Sequence, residues 1–186
     1  MRNTGQVYAC DNRSARLARL KPRLLRSGLS NVQPFALDSE HDPKLLRLEA
    51  KADAVLVDAP CSGFGTLRRN PDLKWRFKLE DLERLQLQQA SILRAASRLV
   101  RPGGWLVYAT CSLLREENEE QVLAFLAQSQ EFSLESPMLT LSAQAIHLGR
   151  EIPLQSEHGS LGPVWRTEPA LDECDGFFAV RMRRQP

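Results

Sequence analysis

Two cysteine-bearing segments, Asp58-Ala59-Pro60-Cys61-Ser62-Gly63 and Ala109-Thr110-Cys111-Ser112, each follow a run of apolar, β-prone residues, Ala54-Val55-Leu56-Val57 and Trp105-Leu106-Val107-Tyr108. Both thiols are therefore expected where parallel strands hand over to loops, the place where open α/β sheets keep their chemistry. Neighbouring strands run about 5 Å apart in the hydrogen-bonding direction, so if these two are adjacent one substrate can touch both sulfurs. The pattern reads as an enzyme with two working cysteines.

The elements needed to position them alternate along the chain. Gln6–Cys10 reads as a strand ending at Asp11. Arg13 to about Ser27 reads as a helix with Leu17, Leu20, Leu24 and Leu25 at helical spacing, interrupted by Pro22 and closed by Gly28. A short strand at 32–36 carries Pro34, which suits an edge, and ends near Asp38. After the strand at 53–57, a helix is predicted from about Leu79 to Val100, ended by Arg101-Pro102-Gly103-Gly104, and the strand at 105–109 follows. A helix from Glu116 to about Gln128, a short strand at 132–134 and a last strand at 176–182 complete the pattern. Residues 136–175, rich in Ser, Gly and Pro, read as loop. Strand–helix alternation describes a mostly parallel sheet wrapped by helices.

A chain of 186 residues with 42% hydrophobic content supports one buried core, and a single domain is expected. The four cysteines are far apart, without a Cys-x-x-Cys pair, a signal peptide or a long apolar run. A reduced, cytoplasmic setting follows, with no membrane partner and no disulfide framework. The histidines His41, His147 and His158 are scattered, so no metal site is expected. Cys10 and Cys174 read as small apolar filler. Basic residues concentrate in 1–34 and again in Arg68, Arg69, Lys74, Arg76 and Lys78, where Trp75 and Phe77 interleave; phosphate binding beside Cys61 is the functional reading of the second cluster. Glu116, Glu117, Glu119 and Glu120 make the segment after Cys111 acidic. Gly63 and Gly65 mark places where backbone turns tightly or approaches closely.

The stretches Asp58–Trp75 and Tyr108–Asn118 resemble the two signature segments of the Sun/Fmu-type RNA (cytosine-C5) methyltransferases, and Asp175-Gly176-Phe177-Phe178 is similar to that family's closing strand. The resemblance implies a Rossmann-like methyltransferase sheet flanked by helices, S-adenosylmethionine as cofactor, and RNA as partner, with ribosomal RNA preferred over transfer RNA. Cys111 matches the nucleophile that adds to C6 of the target cytosine, because C5 accepts a methyl group only after C6 is attacked. Cys61 matches the cysteine implicated in product release through loss of the C5 proton. Asp58 matches the acidic residue beside the cytosine ring. Asp11 and Asp38 match the residues near the cofactor ribose and adenine, and Asp58 also lies on the cofactor side. By local reading alone, Asp11 equally caps the following helix and Asp38 is equally a turn residue.

Members of the resembled family carry a further strand and a glycine-rich loop before the point matched by Met1. The expectation is therefore an N-terminally incomplete catalytic domain spanning 1–186, lacking the first, central strand. Cofactor binding is expected to be weakened and self-association to occur through the edges so exposed. Two other readings stand beside it: a non-catalytic RNA-binding fragment, and a DNA cytosine-C5 methyltransferase, in which Cys61 would be the nucleophile.

Overall fold

Each run of β-prone residues becomes a strand in the computed structural model, which describes residues 3–146, 149–156 and 159–186. Arg2 of the basic N-terminal segment, His147 and His158 lie outside the described residues. The chain divides into two units, residues 1–47 and 48–186.

In the first unit, β1 (Val7–Asp11) leads through α1 (Ser14–Ala18) and α2 (Leu20–Ser27) to β2 (Val32–Ala36). The expected helix over 13–27 is indeed two pieces, broken at Arg19. Pro22 falls in the first turn of α2, where backbone N–H groups have no intrahelical acceptor and a missing donor costs nothing. β1 and β2 pair in parallel, Val7 opposite Val32 and Asp11 opposite Ala36, with Pro34 on a strand that pairs only with β1.

The second unit contains β3 (Ala52–Asp58), α3 (Leu73–Arg76), α4 (Leu79–Ser97), β4 (Val100–Thr110), α5 (Glu119–Gln128), β5 (Phe132–Leu134), α6 (Met138–Ala143), β6 (Arg150–Ser156), β7 (Gly159–Thr167), α7 (Pro169–Asp172) and β8 (Phe177–Arg184). Its sheet runs β3-β4-β8-β7-β6, with β5 also on β8. β3 and β4 are parallel, and the C-terminal strands add antiparallel pairs. Helices pack on this sheet, giving the α/β class expected from the sequence. Alternate residues of β4, Leu106, Tyr108 and Thr110, are buried, and with Val57, Leu93, Val122, Phe178, Val180 and Met182 they fix the sheet against α4 and α5. Among the described residues no helix is long and apolar enough to cross a membrane.

Two boundaries differ from the sequence reading. The helix starting at Leu79 ends at Ser97, and Val100 already pairs with Ala52, so Arg101–Gly104 belong to strand β4 rather than to a helix end. The stretch expected as loop over 136–175 contains regular structure: β6 and β7 pair antiparallel, and β7 in turn pairs with β8. Pairing with a distant strand supplies the order that local composition hides, and Leu154 and Val164 are buried as a result. Among the described residues β3 pairs with β4 alone, and Leu56 on β3 is 69% exposed.

Candidate active site

Parallel pairing sets the site. Asp58, the last residue of β3, stands opposite Ala109 of β4, and the Ala59 N–H donates to the Ala109 carbonyl at 2.9 Å. From that register the chains diverge into two loops, one reaching Cys61 and the other Cys111. Their Sγ atoms lie 3.5 Å apart, and both residues are half-buried, neither sealed inside nor on opposite faces. Asp58 is exposed beside them.

The two loops are locked by backbone contacts and a buried polar cluster. Gly63 adopts φ 77°, the left-handed conformation a tight turn needs, and Leu73 of α3 packs close over it. Gly65 passes through a narrow gap: its N–H donates to the Cys111 carbonyl at 2.8 Å, and its own carbonyl accepts the Gly176 N–H at 2.8 Å. Thr110 and Ser112 flank Cys111, and both are tied to Asn118. The Thr110 hydroxyl donates to Asn118 Oδ1 at 2.6 Å, and Asn118 Nδ2 donates to the Ser112 carbonyl at 3.0 Å.

Beneath the Cys61 loop lies Glu117, with no exposed surface. Its Oε1 accepts the Ser62 N–H at 2.8 Å and Gln89 Nε2 at 3.0 Å, and its Oε2 accepts the Ser62 hydroxyl at 2.5 Å. Gln89 also donates to the Pro60 carbonyl at 2.8 Å, so both residues flanking Cys61 are held. Ser62 Oγ reaches Ser112 Oγ at 3.1 Å, joining the two loops. A buried carboxylate is tolerable only when its lone pairs are satisfied by such donors.

The thiols are electrostatically unequal. A hydrogen bond from Cys61 stabilises the Cys111 thiolate and lowers its pKa to about 7, against the opposing effects of burial and of Asp58. Cys61 is pushed well above the ordinary thiol range, first by donating that hydrogen bond and then by burial. Ionisation of the pair therefore falls on Cys111 rather than on Cys61. A half-ionised, partly accessible thiol with a protonated thiol against it is equipped for nucleophilic attack.

Sequence reasoning left Glu117 unseparated from the acidic residues around it and did not single out Gln89, Ser62 or Asn118. Gln89 did carry a signal. It sits at the core spacing of α4, between Leu85 and Leu93, where a polar residue needs a buried partner. Trp75 and Phe77, undecided in the sequence, are separated by the structure. Phe77 packs edge-on against Phe64, with ring centroids 4.9 Å apart, whereas Trp75 is 81% exposed with Lys74 Nζ 5.1 Å from its ring centre. In the neighbouring basic cluster, Arg69 pairs with Asp175, Arg68 donates to the Glu173 carbonyl at 2.6 Å, and Arg76 pairs with Asp72 at 2.6 Å. Cys10 is exposed and Cys174 half-buried, so the description as core filler does not hold for Cys10.

In the first unit, Asp11 ends β1 with Oδ1 accepting the Arg13 N–H at 2.7 Å and Oδ2 3.7 Å from Arg16. Asp38 follows β2 with its carboxylate exposed, while its N–H donates to Asp42 at 2.9 Å. The two carboxylates thus stand after the C-terminal ends of adjacent parallel strands.

Residues 1–183 match the family described as 16S rRNA methyltransferase RsmB/F. The chain is 35% identical over 185 residues to the probable ribosomal RNA small subunit methyltransferase B of Bacillus subtilis, covering 100% of this chain and 39% of that protein. It is 32% identical to ribosomal RNA small subunit methyltransferase F of Cronobacter sakazakii, covering 99% of this chain and 36% of the relative. The crystal structure of NSun6 from Pyrococcus horikoshii with SFG superimposes with a TM-score of 0.77 at 30% identity, covering 99% of this chain and 42% of that one. The chain thus spans 36–39% of the length of these two curated relatives.

Proposed function

Because the chain belongs to the 16S rRNA methyltransferase RsmB/F family, we propose that it is part of a cytoplasmic catalytic domain that methylates C5 of a cytosine in ribosomal RNA through a covalent adduct to Cys111. The observation that carries this reading is the 3.5 Å approach of Cys61 and Cys111 at the ends of paired parallel strands. Both units belong to that one domain in this proposal.

The donor set fits S-adenosylmethionine, whose analogue SFG accompanies NSun6. Carboxylates at the ends of neighbouring parallel strands can accept hydrogen bonds from hydroxyl groups, and by the family resemblance Asp11 would hold the ribose and Asp38 would lie near the adenine. When bound, the cofactor supplies an electrophilic methyl group.

The chain's own residues supply the rest. The target cytosine must leave any base stack before C6 can be reached. Cys111 thiolate then forms a bond to C6, and the displaced electron pair makes C5 nucleophilic. The negative charge that thiolate addition puts on the ring is neutralised by a proton taken up at N3 from water, and Asp58, beside the thiols, accepts hydrogen bonds from the resulting N3–H and the exocyclic amine. Once the Cys111 sulfur is bonded to carbon, the charge that kept Cys61 protonated is gone, and Cys61 can release its proton to water. The Cys61 thiolate next takes the C5 proton, the C6–S bond breaks, and Cys111 leaves as thiolate while the ring double bond re-forms.

Exposed Trp75, with Lys74 Nζ over its ring, offers an aromatic surface for a neighbouring base and a cation to meet phosphate. Leu73 packed over Gly63 and Phe77 on Phe64 hold its helix to the Cys61 loop.

The test uses a polypeptide extended to the relatives' full length, incubated with S-adenosylmethionine and a 16S ribosomal RNA fragment and resolved on a denaturing gel. Cys111→Ala should abolish the covalent protein–RNA adduct, and Cys61→Ala should accumulate it. The reverse pattern would sink the proposal and make Cys61 the nucleophile.

A further inference from the structure

We propose that Glu117 is a positioning residue: its buried carboxylate holds the Cys61 loop in the one place from which the Cys61 thiol reaches Cys111. This role rests on the two-thiol reading above and adds to it a third residue that touches neither substrate nor cofactor.

The two sulfurs are held by different contacts. Cys111 is fixed without Glu117: its carbonyl accepts the Gly65 N–H at 2.8 Å, and its neighbours are bound to Asn118 and to each other, Ser112 N–H donating to Thr110 Oγ1 at 3.2 Å. Cys61 is held differently. Ser62 gives both its N–H and its hydroxyl to Glu117, and Pro60 is held by Gln89, which also donates to Glu117. The donors are neutral groups, so the carboxylate serves as a hub of acceptors rather than as half of an ion pair. Glu117 itself is anchored from outside the loop, because its carbonyl accepts the hydroxyl of fully buried Tyr108 at 2.7 Å.

The consequence is selective. Removing the carboxylate leaves the buried Ser62 N–H unpaired, leaves the Ser62 hydroxyl with Ser112 Oγ as its remaining partner, and loosens Pro60 through Gln89, while the anchors of Cys111 remain. A loop freed in this way gives up the 3.5 Å contact between the thiols. That contact is the largest influence lowering the Cys111 pKa. Losing Glu117 therefore weakens Cys111 as a nucleophile through Cys61, although the negative charge of Glu117 by itself opposes ionisation of Cys111. Charge alone and positioning predict opposite signs.

The measurement is the rate of Cys111 alkylation by iodoacetamide as a function of pH, followed by peptide mass on this chain, with thermal unfolding recorded for every variant. In the parent, the inflection is expected at about 7, and in Glu117→Ala it should move toward the ordinary thiol value of 9.0. A full two-unit rise cuts the thiolate share at pH 7 about fiftyfold; with the greater reactivity of a more basic thiolate restoring about eightfold, alkylation slows about sixfold. Glu117→Gln should bring the inflection back to the parent value or slightly below it, since its amide oxygen can accept from Ser62 N–H and Gln89 while its NH2 donates to Ser62 Oγ, and the charge that opposed ionisation of Cys111 is gone. Cys61→Ala should raise the inflection as Glu117→Ala does, and the double variant should rise no further, because the two act through one contact.

An unmoved inflection in a folded Glu117→Ala chain, or additive rises in the double variant, would overturn the proposal. If Glu117→Ala does not fold, Gln89→Ala gives the same reading by loosening Pro60, and an unmoved inflection there is equally fatal. Failure of the underlying thiol-pair reading looks different: Cys61→Ala itself would leave Cys111 at its parent inflection.

Discussion

Replacing Gly65 by Ala probes the narrowest point of the site. A Cβ at Gly65 would overlap the Gly176 carbonyl oxygen and sit 2.7 Å from the Cys111 carbonyl oxygen. Both obstacles are backbone, so no side chain can swing aside. Relief requires the three segments to part, which lengthens the two 2.8 Å hydrogen bonds that join Gly65 to Cys111 and Gly176. Two buried hydrogen bonds at about 1 kcal/mol each, with about 1–3 kcal/mol for overpacking, give a loss of about 3–5 kcal/mol. In a chain of this size that lowers Tm by about 6–20 °C. Gly63→Ala is the control. Its φ is 77°, but the nearest atom to an added Cβ is the Leu73 side chain at 3.6 Å, so only backbone strain of about 1–2 kcal/mol is expected. Urea unfolding of the parent and both variants measures the order. A Gly65→Ala loss below about 1 kcal/mol, or one no larger than that of Gly63→Ala, would refute the close-approach argument.

Acid should destabilise the fold through three carboxylates held below their usual range: Asp42 by the N–H groups of Asp38 and Lys44, Glu135 by Trp105 and Arg181, and Asp172 by the Glu168 N–H and Arg150. Groups with depressed folded pKa values stabilise the native state above the unfolded carboxylate value of about 4, and that contribution is lost as pH falls through the folded value. Tm should accordingly fall between pH 5 and pH 2, on the order of the window set by those shifts, and Asp172→Asn should flatten part of the fall; a Tm constant over this range would contradict it. Leu56, exposed on a strand whose other edge has no partner among the described residues, should favour self-association. Sedimentation velocity should show fewer oligomers for Leu56→Lys, and a parent chain that stays monomeric at high concentration would rule the edge out.

Much of the site's frame was legible because its signals are local. Val55 and Leu56 announce β3, the Leu82–Leu93 stripe announces α4, and each cysteine follows a strand by a fixed few residues. Gly63 and Gly65 stood out for a similar reason: glycine marks backbone need directly. The β6–β7 pair escaped because its Pro153 and Pro163 and its glycines read as loop, and only pairing with β8 makes it sheet. Arg68 and Arg69, grouped by sequence with phosphate-binding residues, reach the turn at 173–175, more than a hundred residues away.

The sequence by itself determined the main strands and helices outside 136–175, the two thiols at strand ends and the family to which they point, since periodicity and motif are carried within short stretches of chain. Only the tertiary structure decided that Glu117 and Glu119 are the buried pair among four nearby glutamates, which of two aromatic rings faces solvent, and that the sulfurs lie within hydrogen-bonding reach. Those outcomes depend on burial and on donors from distant segments, quantities that arise when β3, β4 and α4 pack together and that no single stretch of residues contains.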